Sequence, residues 1–143
     1  MKRIVLVALI MAFALPAFAK DEKTMYSYKD AMALDDAKLK LDRDIKFYFG
    51  EQRHPPVEKK FGSFVSNQKT SSVGKSKEKA CNWAFLSAMM SLQSRAIREG
   101  GNAVIDIESY YKKNAIKSET EFECGHGFFV TGVALRGTVV KLK

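Results

Sequence analysis

Cys81, Cys124, His54 and His126 are the residues of this chain best suited to metal or redox chemistry, and it has no other cysteine or histidine. Two thiolates and two imidazoles would satisfy tetrahedral zinc. The spacing argues otherwise. Cys124-Gly125-His126 supplies a C-x-H pair, the other two are distant singletons, and paired ligand motifs are absent. His126 stands between two glycines, which is the setting of a turn. No metal is expected. The cysteines suit each other better. Cys81 falls on the apolar face of a helix and Cys124 at the end of a strand, and a helix packed on a sheet can bring such positions together. In an oxidising compartment a Cys81–Cys124 disulfide is expected, contributing about 4 kcal/mol in the chain-entropy model. Without a C-x-x-C the pair has no redox signature.

Other constellations are weaker. Gly74-Lys75-Ser76 precedes a helix as the end of a phosphate-binding loop does, but that motif needs glycine where Lys69 stands. It reads as a turn and a helix cap. No G-x-S-x-G nucleophile elbow is present. Asp106 and Glu108 alternate on a strand, the pattern of a solvated face. A small hydrolase site around His126 and Asp106 is the alternative to a chain without catalytic residues. No catalytic residue and no cofactor are assigned. Lys112, Lys113 and Lys117, beside Tyr110 and Tyr111, form a basic-aromatic turn and the candidate anion-binding site.

The elements that would position these residues follow from periodicity. Residues 20–43 are charged and mixed, with a short helix capped by Asp35. Ile45, Phe47 and Phe49 alternate with polar or amphipathic neighbours, so 44–49 reads as a half-buried strand closed by Gly50. Residues 51–60 read as a loop and Phe61–Thr70 as a weaker strand. The clearest element is a helix over Lys77–Glu99, with Ser76 as N-cap and Gly100-Gly101 as its stop. Cys81, Phe85, Ala88, Met89, Leu92 and Ala96 recur at helical spacing, and Trp83, Leu86, Met90 and Ile97 widen that face. Asn102–Tyr111 alternates, with Ala103, Ile105, Ile107 and Tyr111 on one face. Glu119–Cys124 and Gly127–Leu142 supply two or three more strands. The fold class is α+β: one long helix packed on a mostly antiparallel sheet of about four to five strands.

Length and charge set the context. The chain has 143 residues, 46% of them hydrophobic, with a formal charge of +8. That suits one folded domain and anionic partners. Met1-Lys2-Arg3 is a positive start, Ile4–Leu15 an unbroken apolar run, and Ala17-Phe18-Ala19 a small-x-small cleavage site. Residues 1–19 therefore read as a signal peptide cleaved after Ala19, leaving Lys20–Lys143 as a single periplasmic domain. The apolar run is shorter than the ~20 residues a spanning helix needs. No membrane span is expected after cleavage. An oxidising compartment without ATP favours an anionic envelope component or a protein as partner and disfavours nucleic acid.

Several segments carry a resemblance. Ile45-Lys46-Phe47-Tyr48-Phe49-Gly50, Lys79–Met90, Gly100-Gly101-Asn102-Ala103-Val104-Ile105, Glu121–Gly125 and Leu135–Val140 resemble a family of small exported proteobacterial proteins of this length. Members are commonly labelled as the ATPase component of the excinuclease ABC complex. That label implies DNA repair, yet the chain lacks the P-loop and the paired C-x-x-C ligands such an ATPase carries. In architecture the order of helix, Gly-Gly-Asn-Ala-Val-Ile and strands ending in Gly-Thr-Val-Val is similar to YbjQ-like domains and to the Rcs envelope-stress sensor lipoprotein. The latter resemblance implies a sensing role, without the lipid-attachment cysteine or a second disulfide. The expectation from all of this is a non-enzymatic periplasmic binding, interaction or envelope-sensing module.

Overall fold

The computed structural model describes residues 21–143, so the expected signal peptide over 1–19 and the expected cleavage after Ala19 lie outside the described residues. Strand β1 spans Glu22–Ser27, and two short helices follow, α1 (Tyr28–Met32) and α2 (Asp35–Lys40). Strands β2 (Lys46–Phe49) and β3 (Val57–Ser71) lead into helix α3 (Lys77–Glu99). Strand β4 (Ala103–Ser109), a 3₁₀ turn (Tyr111–Lys113), β5 (Glu121–His126) and β6 (Val130–Leu142) complete the chain. The fold is α+β, one long helix on a mixed sheet of six strands.

Strand β6 organises the sheet. Along one side it pairs with β3 over the full length of both strands. Along the other it meets β5 at Gly125↔Gly132 and His126↔Thr131, then β4 from Ser109↔Leu135 to Ala103↔Val140. β1 pairs with β5, and only the β2–β4 pairing is parallel. The strand missing from the expected count is β1. Its sequence, Glu-Lys-Thr-Met-Tyr-Ser, shows no alternation because it is an edge strand with little buried surface. β3 likewise begins at Val57, four residues before the expected start. Its Glu58-Lys59-Lys60 are exposed on an edge, where charged residues discourage pairing with other chains.

Helix α3 forms as expected. The Ser76 hydroxyl accepts from the Lys79 N–H at 3.1 Å, and Gly100 ends the helix in the left-handed region at φ 83. Cys81, Phe85, Ala88, Met89, Leu92 and Ala96 are all buried against the sheet. Trp83, Met90 and Ile97 are a correction, because they stay on the outward side of the helix. α2 is also corrected at its start. Leu34 occupies the N-cap without a side-chain hydrogen bond, and Asp35 is the first helical residue. Asp35 and Asp36 instead place negative charge at the positive end of the helix.

Two bulges decide which residues the helix covers. Asp106 sits at φ 53, and the β4–β6 register shifts between Ile105 and Glu108. The shift lets Val104 and Ile107, three apart, both join the helix-side core. Ala103 and Ile105 point to the opposite face, with Val140 and Leu142. The expected single face of Ala103, Ile105, Ile107 and Tyr111 is therefore split. The break between Lys60 and Gly62 acts the same way and lets Phe61 and Phe64 both pack toward the helix. The helix-side core is aromatic at its centre. Tyr28 stacks on Phe49 at 3.9 Å and Phe85 on Phe122 at 4.4 Å.

Candidate functional site at the hairpin end

The expected bridge is present. Cys81 and Cys124 are joined, with Cα atoms 5.8 Å apart and both residues fully buried. It ties β5 to the second turn of α3 and leaves neither cysteine free as a ligand. Among the described residues no three His, Cys, Asp or Glu side chains cluster as a metal site. His54 and His126 are far apart. His54 lies edge-on to Tyr48 near the end of β6, while His126 pairs with Thr131 at its start. About 30 Å of strand separates them at ~3.3 Å per residue. Asp106 is level with Gly137, about 20 Å along β6 from the His126 level. The structure thus does not bring His126 and Asp106 together. The His126 ring nitrogen Nδ1 instead lies 2.8 Å from Thr131 Oγ1, which lies 2.8 Å from Ser72 Oγ.

The basic turn is only partly available. Lys112 and Lys113 both adopt left-handed backbone conformations. Lys112 Nζ lies 3.5 Å from the Asp21 carboxylate. Lys113 and Lys117 are exposed, and among the described residues neither has a carboxylate within ion-pair distance. Beside them Tyr111 lies flat in a trough made by the paired glycines Gly125 and Gly132. A Cβ at Gly125 would sit 2.2 Å from the Tyr111 ring. The phenol donates to Asp21 at 2.5 Å. That hydrogen bond, with the Lys112 ammonium, holds the Asp21 carboxyl below the usual carboxylate range, while burial and Asp21 push the Tyr111 phenol up.

The same end of the molecule carries a feature that the sequence pattern places inside a strand. Gly127 and Val130 close the β5–β6 hairpin, the Gly127 N–H donating to the Val130 carbonyl at 2.8 Å. Phe128 and Phe129 alone form the loop between them. Phe128 is 84% exposed, Phe129 66% and Val130 47%. Two-residue hairpin loops favour Asn-Gly or similar pairs, whose backbones suit the turn. Adjacent phenylalanines satisfy neither turn chemistry nor solubility. Their rings meet edge to face at 4.7 Å. The loop before α3 lies alongside, with the Ser72 N–H donating to the Phe129 carbonyl at 2.9 Å. That loop adds Val73, 67% exposed. The signal in the sequence was Phe-Phe-Val directly after Gly-His-Gly, a run without alternation.

Charge surrounds this apolar tip. Lys75 follows Val73 and reaches Thr70 Oγ1 at 3.1 Å. Lys69 pairs in register with Gly132, and Lys77 opens α3. Their carboxylate neighbours are Asp21, held by Lys112, and Glu22, which is bound by Lys77. A Cβ at Gly127 would meet Asp21 Oδ1 at 2.9 Å, so the Asp21–Lys112 pair sits directly under the hairpin.

A second concavity lies elsewhere. A cleft of about 500 Å³ separates α1 and α2 from the first half of α3, lined by Leu34, Asp35, Asp36, Lys79, Asn82 and Trp83. The Lys40 ammonium already covers the Trp83 ring at 4.5 Å. No histidine and neither cysteine lines it. Among the described residues no helix is long and apolar enough to cross a membrane. No family model matches the chain, and no curated protein or solved structure matches it either.

Proposed function

We infer that this chain is an exported, non-enzymatic binding module of the bacterial envelope, and that the hairpin end is its contact surface. The observation that carries the reading is the Phe128-Phe129 pair held out at a two-residue turn. Exposed aromatic residues of this kind cost solubility and gain nothing in the fold, so their use is in contact. Support comes from the leader pattern over residues 1–19 and from the buried disulfide, which suits an oxidising compartment. The partner is an anionic envelope component or a protein that meets an apolar tip ringed by lysines. Lys112, Lys113 and Lys117 extend that basic surface.

The test is a photo-activated cross-linker placed at Phe129 in cells, with Leu39 as the control position. Leu39 is 83% exposed on α2, away from the hairpin. Expected are a mature chain starting at Lys20 in the periplasmic fraction and envelope adducts from position 129 alone. A cytoplasmic precursor that retains residues 1–19, or equal labelling from both positions, overturns the reading.

A further inference from the structure

Resting on that reading, we propose that the partner is a lipid surface bearing anionic headgroups, into which Phe128, Phe129, Val130 and Val73 insert. Shape argues first. Phe128 and Phe129 sit at the β5–β6 turn, Val130 opens β6, and Val73 lies in the adjoining loop before α3, so four exposed apolar side chains gather at one end of the sheet. Protein interfaces of standard size bury about 800 Å² per partner on matched surfaces. A two-residue aromatic tip presents far less and needs a deep host. The boundary between headgroups and acyl chains is such a host, because it opens around any apolar wedge.

Charge argues second. Lys69, Lys75, Lys77 and Lys112 stand around the tip. Lys77 and Lys112 are paired with Glu22 and Asp21, so Lys69 and Lys75 supply the excess positive charge, while Glu78 and Lys79 in the first turn of α3 offset each other. Lysine stems lie along apolar surface and lift their ammonium groups to headgroup level. Each lysine close to an anionic leaflet strengthens binding about fivefold. Zwitterionic lipid offers no such gain.

Rigidity argues third. The Phe129 carbonyl is satisfied by the Ser72 N–H, and the Val130 carbonyl by the Gly127 N–H. The tip therefore enters the interface with these two carbonyls already paired. Three residues before Gly127, the disulfide fixes β5 to α3. The Ser72–Thr131–His126 chain locks the two loops to each other. Little conformational freedom is lost on docking, which favours a small contact.

The measurement is co-sedimentation of the protein, purified from an exporting host, with vesicles of phosphatidylglycerol and phosphatidylcholine in equal parts. Vesicles of phosphatidylcholine alone are the comparison. Binding is expected to the first, to weaken with salt, and to fall about a hundredfold in F128S/F129S, roughly tenfold for each ring. L39S, which removes an equally exposed side chain from α2, should bind as the parent does. Because Phe128 and Phe129 are exposed, the double variant should keep the parent's circular dichroism. A second readout places a reporter in the tip. In F128W/W83F, indole emission should shift to the blue on vesicles and be quenched by brominated acyl chains.

Equal binding of F128S/F129S and parent to anionic vesicles overturns insertion. Equal binding of the parent to both vesicle types overturns the headgroup requirement. No vesicle binding at all overturns the lipid proposal. In that case, protein adducts from position 129 would leave the binding-module reading standing, and absence of any adduct would remove both.

Discussion

Removing the Cys81–Cys124 bridge should cost this protein a large part of its stability, and the structure says where the loss begins. The two cysteines are 43 positions apart in the chain. Closing a loop of that length in the unfolded state is worth about 4 kcal/mol at room temperature. Whole domains are stable by only about 5–15 kcal/mol. The bridge also compensates for a weak seam. β5 meets β6 in register at only two positions, Gly125 and His126, yet it carries the whole of β1. Beyond the bridge, that ribbon is held by Phe122 against Phe85 and by the Glu123 N–H donating to Ser109 Oγ at 2.8 Å. The comparison is C81A/C124A against parent in urea, followed by circular dichroism. With a slope of about 2 kcal/mol per molar urea, the midpoint should fall by about 2 M. Amide exchange should rise first over 22–27 and 121–126, before α3 and the β3–β6 ladder. Intact mass with and without reductant should differ by two hydrogens. A midpoint shift below about 0.5 M, on the same slope, would refute the loop-closure reasoning. Uniform exchange across the sheet would refute the weak seam.

Two further outcomes follow from the tyrosines. Gly125→Ala places a methyl group 2.2 Å from the Tyr111 ring, so the ring must leave its trough and its bond to Asp21. The expected loss is about 1–3 kcal/mol by urea denaturation. It should shrink in a Tyr111→Ala background, and full additivity would refute the contact. Alkaline stability is the other outcome. Burial pushes the phenols of both Tyr28 and Tyr111 up, and Asp21 adds to the shift at Tyr111. The folded state therefore keeps protons that the unfolded chain loses above about pH 10. Stability from these groups is complete below that pH and falls as pH rises past it. Tyr28 and Tyr111 should show phenolate absorbance only as the protein unfolds. Reversible titration of both near pH 10 in a folded protein would refute the assignment.

The helix and its partners were legible because their signals are local or strongly periodic. Ser76 and Gly100 mark the ends of α3, and six apolar positions at helical spacing mark the face that meets the sheet. The disulfide was legible from count and placement. What escaped were positions where pairing decides. Ala103 and Val104 alternate in sequence, but a bulge at Asp106 settles which of their neighbours faces the helix, and the bulge depends on register with β6. β1 has no pattern of its own and is a strand because β5 pairs with it. At the candidate site, Lys112, Lys113 and Lys117 were visible as a basic run, but Lys112 is engaged by Asp21, a residue far off in the sequence that only the fold brings near. Phe128 and Phe129 look like strand core in sequence. Only the pairing of Gly127 with Val130 turns them outward.

That hairpin is the place where local and global preferences conflict most openly. Around it the chain obeys ordinary rules: a capped helix, charged edges on β3, and an apolar stripe matched to a sheet. At the tip it places two aromatic residues where a turn favours Asn and Gly, and then anchors the result. The Ser72 N–H holds the Phe129 carbonyl, Asp21 packs under Gly127, and the Cys124 bridge fixes the strand that leads in. A misfit tolerated by drift would have no need of such support. Anchoring of this kind keeps exposed rings from folding back onto the apolar surface beside them. It presents them in one orientation, alongside lysines from the 69–77 stretch and Lys112 from the 3₁₀ turn. On the proposed reading, a stable body with a rigid, apolar tip flanked by lysines is what docking on an anionic lipid surface requires.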